Sequence, residues 1–216
     1  MRSADAAGLA GFDQWVDLSQ LLTRGLLHAL NNRIAAIGCG VDLSIMGDED
    51  YAPEKFLPKE LEQLQSIRHH LQLLVLDDDA PEALELEPLL QLAVALHAHH
   101  PRMHAMRCVV VKDGDIPPVR LPRATFLRLL TLLIDDTTVR LVPETPETVP
   151  LRLSSEASEV AIAFATPRIP TEYAEAIAAE CGARLERDGD MLLLRVPTLL
   201  ALRLKERASA GNAAIR

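Results

Sequence analysis

The sequence predicts an α+β protein, in which an N-terminal antiparallel helical hairpin precedes an α/β sandwich. Three observations carry this. Apolar residues recur at spacings of three and four through roughly the first third of the chain, the period of helices. Beyond Pro81, short β-rich runs alternate with helical stretches. The 216 residues are 49% hydrophobic and 25% charged, enough for one ordinary domain or two small ones and incompatible with disorder as the main state. The expected division is a hairpin over 1–80, a sandwich over 81–204 and a flexible tail over 205–216.

The first helix is expected from about Phe12 to Met46. Leu27, Leu30, Ile34, Ile37, Val41 and Ile45 form one apolar stripe on it. A second line, Leu18, Leu22, Gly25, Ala29, Asn32, Ala36, Cys39 and Leu43, follows a heptad rhythm with small residues at its middle. Gly47 to Pro53 stops the helix with turn chemistry. A second helix reads from Pro58 through Leu61, Leu64, Ile67, Leu71 and Leu74, and ends at Asp77-Asp78-Asp79-Ala80-Pro81. One hairpin cannot bury two seams alone, so a homodimer with a four-helix bundle is expected.

Downstream, Leu86 to His99 reads as a helix and Cys108 to Val111 as a strand closed by Asp113-Gly114-Asp115. Ile116-Pro117-Pro118 reads as loop and Ala124 to Val139 as a strongly apolar helix. Strands are expected at Val149–Leu153, Glu159–Ala165 and Asp190–Val196. A helix from about Tyr173 to Cys181, ended by Gly182, lies between the last two. After Leu204 the chain reads as a frayed tail.

Composition narrows the function. The formal charge is −9 and the pI near 5.2, whereas a protein that tracks phosphates along a duplex needs a basic surface. Nucleic acid is therefore not an expected partner. Cys39, Cys108 and Cys181 include no CxxC pair and are odd in number, which fits a reducing cytoplasm and small core residues. Met1 to Trp15 lacks the pattern of a signal peptide, and charged residues break every apolar run short of a membrane span. A cytoplasmic protein without a membrane partner is expected.

The informative string is Leu27-His28-Ala29-Leu30-Asn31-Asn32-Arg33-Ile34-Ala35-Ala36-Ile37. On a helix His28 lies away from the apolar stripe, and its own face carries Arg24, Gly25, Asn32, Ala35 and Cys39. Most of these neighbours are small and leave the imidazole clear for a docking partner. An Asn one turn on and a basic residue one turn back suit acceptance of a phosphoryl group. An ordinary surface histidine is the alternative.

This string resembles the phosphoacceptor box of histidine kinases, in which a His, an acidic residue, Leu and two Asn precede a Pro and an apolar run. The hairpin is similar to that family's dimerisation and phosphotransfer module. The resemblance continues through Glu87 to His99, Val109 to Val111 and Gly114 to Arg120, and then the helix Leu127 to Asp136, as in the entry to the kinase ATP-binding domain. It covers about residues 12 to 200.

Departures from the family pattern are as informative. Asp135 stands where the family has its magnesium-binding Asn. Phe164 to Pro170 stands where it has a glycine-containing loop against the adenine, and Arg168 replaces a glycine there. The second glycine-rich segment, whose backbone amides would cradle the triphosphate, is missing. Ala29 replaces the acidic neighbour of the histidine and Arg33 the proline. The resemblance therefore implies a degenerate ATPase-like domain without ATP-dependent kinase activity and without a bound cofactor.

What remains is similar to the dimeric histidine phosphotransfer proteins of two-component phosphorelays, which carry a phosphoryl group between response-regulator receiver domains. The implied catalytic residues are His28 and Asn32, with Arg24, Gly25, Asn31, Ala35 and Cys39 lining the docking face. The implied partners are receiver domains, which bring their own Mg²⁺, a second copy of the chain, and as a further candidate a histidine kinase. Two alternatives stand beside this: an inactive pseudokinase scaffold binding receivers or kinases, and a receiver phosphatase in which Asn32 places water. A second cluster, His69, His70, His97, His99, His100 and His104, reads as a solvated, slightly basic helix end rather than a metal site. Asp77-Asp78-Asp79 reads as an acidic turn and Asp135-Asp136 as the end of a buried helix.

Overall fold

Helix α1 runs from Arg2 to Ile45 in the computed structural model. The structure describes residues 2–75, 80–101, 106–138, 147–166 and 169–213, with side chains from 12 to 208 among these except at 106 and 147. The helix is about 66 Å long at 1.5 Å per residue and starts well before Phe12, where the apolar period becomes legible. Gly47, with φ +86°, ends it. The amides of Gly47 and Asp48 reach back to the carbonyls of Ser44 and Leu43, which satisfies the last turn. A 3-10 turn at Glu49–Tyr51, capped by the Asp48 side chain, leads into α2, Pro53–Val75. That helix begins five residues before the expected Pro58. Pro53 takes its first position, where no amide is needed, and Pro58 lies inside. Arg33 of α1 reaches Glu60 of α2 at 3.4 Å and fixes the hairpin's register.

The second part is a layered α/β unit. A five-stranded sheet has the order β2-β4-β5-β7-β6, formed by Met106–Asp113, Glu147–Glu156, Glu159–Ala165, Met191–Pro197 and Arg184–Asp188. β2 and β4 pair in parallel and the remaining neighbours antiparallel. A short ribbon joins β1, Glu82–Leu84, to β3, Val119–Leu121. Alternation sets the faces: Val149, Leu151 and Leu153, then Val160, Ile162 and Phe164, then Leu192, Leu194 and Val196, all point into the core. Helices α3 (Leu86–His97), α4 (Arg123–Thr138) and α5 (Glu172–Glu180) complete the layer.

α4 is buried almost all round, as Phe126, Leu127, Leu129, Leu130, Leu132, Leu133 and Ile134 attest. A helix apolar on every side must be covered on every side, and the second cover is α1. Trp15, Leu18, Leu22 and Leu26 of α1 join the same core as the sandwich. Arg128 of α4 lies 5.2 Å from the Trp15 ring centroid, and the Gln14 amide donates to Asp136 at 3.2 Å. Hairpin and sandwich thus share one core across the expected boundary at residue 80.

Several expectations are corrected. The tail expected to fray after Leu204 continues α6, Leu199–Ala213, because Thr198 caps its start and no Gly or Pro interrupts it before Gly211. The strand β6 and the ribbon β1–β3 were not foreseen. Cys108 and Cys181 are core residues, and burial pushes the Cys108 thiol up to about 11, but Cys39 is exposed. Asp77-Asp78-Asp79, His104 and Arg168 lie outside the described residues.

Candidate functional site

At 100° per residue the middle of α1 divides into three faces, each about 120° from the next. One carries Leu22, Leu26 and Arg33 and turns to the sandwich and α2. The second is the exposed apolar stripe of Leu27, Ile34, Val41 and Ile45. The third carries His28, with Arg24, Asn31, Asn32, Ala35 and Cys39, and all six are exposed. Gly25 is the exception among the anticipated site residues. A Cβ there would stand 1.7 Å from the His99 carbonyl oxygen, so Gly25 is where α1 is pressed against the turn after α3.

Asn32 Nδ2 lies 3.3 Å from His28 Nε2. An amide NH₂ only donates, so Nε2 accepts and the ring proton belongs on Nδ1. Nε2 therefore carries the lone pair. Two turns on, Ala35 and Ala36 carry nothing larger than a methyl group, and Gly38 has no atom within 4 Å of where a Cβ would be. The helix supplies rigidity, the small residues supply access, and Arg24 supplies positive charge one turn back.

The second histidine cluster is solvated only in part: His69 is exposed and His99 half-buried. His70, His97 and His100 are buried where the hairpin meets the sandwich. His97 Nε2 donates to Asp135 Oδ1 at 2.9 Å, His100 Nε2 stands 3.8 Å from the same oxygen, and their rings stack. His97 Nδ1 is buried without a partner. The Asp135 carboxylate, expected at the end of a buried helix, is thus engaged by imidazoles. Among the described residues, no three His, Cys, Asp or Glu side chains group as metal ligands would.

His70 pairs with His99 at 3.2 Å. Burial first, then the charges of His99 and His69, push His70 down to about 4, and burial lowers His99. No local signal marks these residues as buried, because His70 meets His99 29 residues on and His97 meets Asp135 38 residues on. No helix among the described residues is long and apolar enough to cross a membrane.

No family model and no curated protein matches the chain. Solved structures similar to it in the course of the chain include histidine kinases and a phosphotransferase. The Acinetobacter baumannii histidine kinase AdeS is 14% identical, with 80% of this chain and 98% of that one covered and a TM-score of 0.42. A bacterial phosphotransferase is 14% identical, with 83% and 95% covered and a TM-score of 0.41. The histidine kinase ThkA, in complex with the response regulator protein TrrA, is 14% identical, with 82% and 60% covered and a TM-score of 0.45.

Proposed function

We propose that this chain is a histidine phosphotransfer protein of a two-component phosphorelay, which takes a phosphoryl group from one receiver domain onto His28 and passes it to another. The observation that carries the reading is the exposed His28 ring with its Nε2 lone pair held by Asn32 on a face of small residues. In the forward step the Nε2 lone pair attacks phosphorus, the bond from phosphorus to the receiver's aspartyl oxygen breaks, and the aspartate leaves as a carboxylate. The return step reverses both changes. Asn32 releases Nε2 as the bond forms and turns its amide to a phosphoryl oxygen, while Arg24 offsets charge. Positioning and charge compensation are most of what such a transfer asks of a protein.

The exposed apolar stripe supports a homodimer through the hairpin. It lies about 120° from His28, so a second copy seated on it leaves both histidines open. The chain contains no glycine between Gly114 and Gly182, and Asp135 is engaged by His97, which together support transfer without ATP-dependent phosphorylation. The test uses receiver domains from the same genome, each phosphorylated with labelled acetyl phosphate and mixed with the full chain. Transfer predicts label on the chain and its loss in His28→Ala. Label appearing only as inorganic phosphate would replace this reading with a receiver phosphatase. Label remaining on every receiver would replace it with a scaffold.

A further inference from the structure

One turn before His28, where Gly25 of α1 meets the turn after α3, a group of imidazoles sits between α2 and that turn, and phosphotransfer makes no use of it. His70 Nδ1 and His99 Nε2 are 3.2 Å apart, with the rings edge to face at 5.3 Å between centroids. His69 stands beside His70 at 6.2 Å between centroids. From α1, Gly25 backs onto the His99 carbonyl and brings no side chain. Among the described residues, the charges that bear on His70 are those of His99 and His69, and burial alone acts on His99. One ring must donate and the other accept, so two added protons leave the contact without an acceptor and place like charges together.

We propose that the His70–His99 pair is a proton-sensitive latch holding the C-terminal half of α2 on the turn after α3, closed near neutrality and released as the solution acidifies. The sign follows from linkage. An imidazole freed from the junction takes up its proton near 6.5, whereas His70 in the closed junction resists to about 4. The open form therefore binds more protons between these values, and closure is full above about 6.5 and weakens progressively down to about 4. For His70 alone, going from about pH 7.5 to about pH 5.5 raises the open-to-closed ratio about tenfold.

Hydrogen exchange on the full chain tests this, with exposure times scaled for intrinsic exchange at about pH 7.5 and about pH 5.5. The expected result is a roughly tenfold loss of protection over residues 66–75 and 94–101, with β5 and β7 unchanged. His70→Gln and His99→Gln, which keep a polar group that does not titrate, are expected to flatten the response. Equal protection at both pH values in the wild type, or the same loss persisting in both variants, overturns the latch. A ring titration by NMR needs no variant: His70 still neutral at about pH 5 supports it, and His70 protonating near its ordinary value overturns it.

Discussion

Between Gln14 and Leu26, α1 gives its large side chains to the sandwich: Trp15, Leu18, Leu22 and Leu26 are buried, and Gly25 lies against the His99 carbonyl. Between Leu27 and Ile45 the same helix leaves Leu27, Ile34, Val41 and Ile45 in solvent and presents His28 on a third face. The two halves have the same apolar period and opposite fates. Periodicity reports that a helix has a seam, and only the rest of the fold decides whether that seam is already filled. The filled half anchors the sandwich. The other half packs on α2 through Arg33 and Gly40 and keeps its apolar stripe in solvent.

Substitution of Gly25 and of Gly38 separates the halves most sharply. Gly25→Ala places a methyl group inside the position of a backbone carbonyl, which cannot rotate away. Overpacking of this kind is expected to cost at least about 2–3 kcal/mol, read as a fall in the urea midpoint with Trp15 fluorescence following the docked half. An unchanged midpoint would mean that α1 is not docked there. Ile34→Asp lies in the open half and is expected to leave the chain's own stability within about 0.5 kcal/mol. It is expected instead to shift sedimentation from a dimer towards the 23.7 kDa chain. A wild type that sediments as a single chain at micromolar concentration removes the second copy from the stripe. Gly38→Ala is the smallest effect and has the opposite sign to Gly25→Ala. Its Cβ meets nothing within 4 Å, so the better helix former should stabilise by about 0.5–1 kcal/mol, visible as a small rise in Tm.

How much of this was legible in the sequence depends on where the information lies. α1 through α4 could be read because Leu and Ile recur at helical spacing, α5 because Gly182 ends an Ala-rich run, and β4, β5 and β7 because their apolar runs are bounded by turns. β6 could not be read. Arg184-Leu185-Glu186-Arg187-Asp188 is an edge strand held through charged cross-strand neighbours, with Arg195 donating to Glu186 at 2.6 Å. Its signal is pairing, not hydrophobicity. The exposed face around His28 was legible because helix geometry alone sets which residues share it. Gly25 was placed on that face by the same geometry, and its contact with His99 comes from the chain crossing itself. The buried imidazoles failed for that reason too: His97 reads as a polar helix end until Asp135, 38 residues on, accepts its hydrogen bond.

The contrast between the halves of α1 becomes a contrast between histidines. His28 is the one of seven on the open half; His69, His70, His97, His99 and His100 lie near or in the docked junction, and His104 follows them in sequence. The most direct measurement is the site of label after incubation with phosphorylated receivers, mapped by mass spectrometry at neutral to basic pH, where phosphohistidine survives. The proposed function predicts phosphate on His28 alone, slower labelling in Asn32→Ala, and none in His28→Ala with its folding intact. Phosphate on any of the other six histidines, or undiminished labelling of His28→Ala, would contradict it.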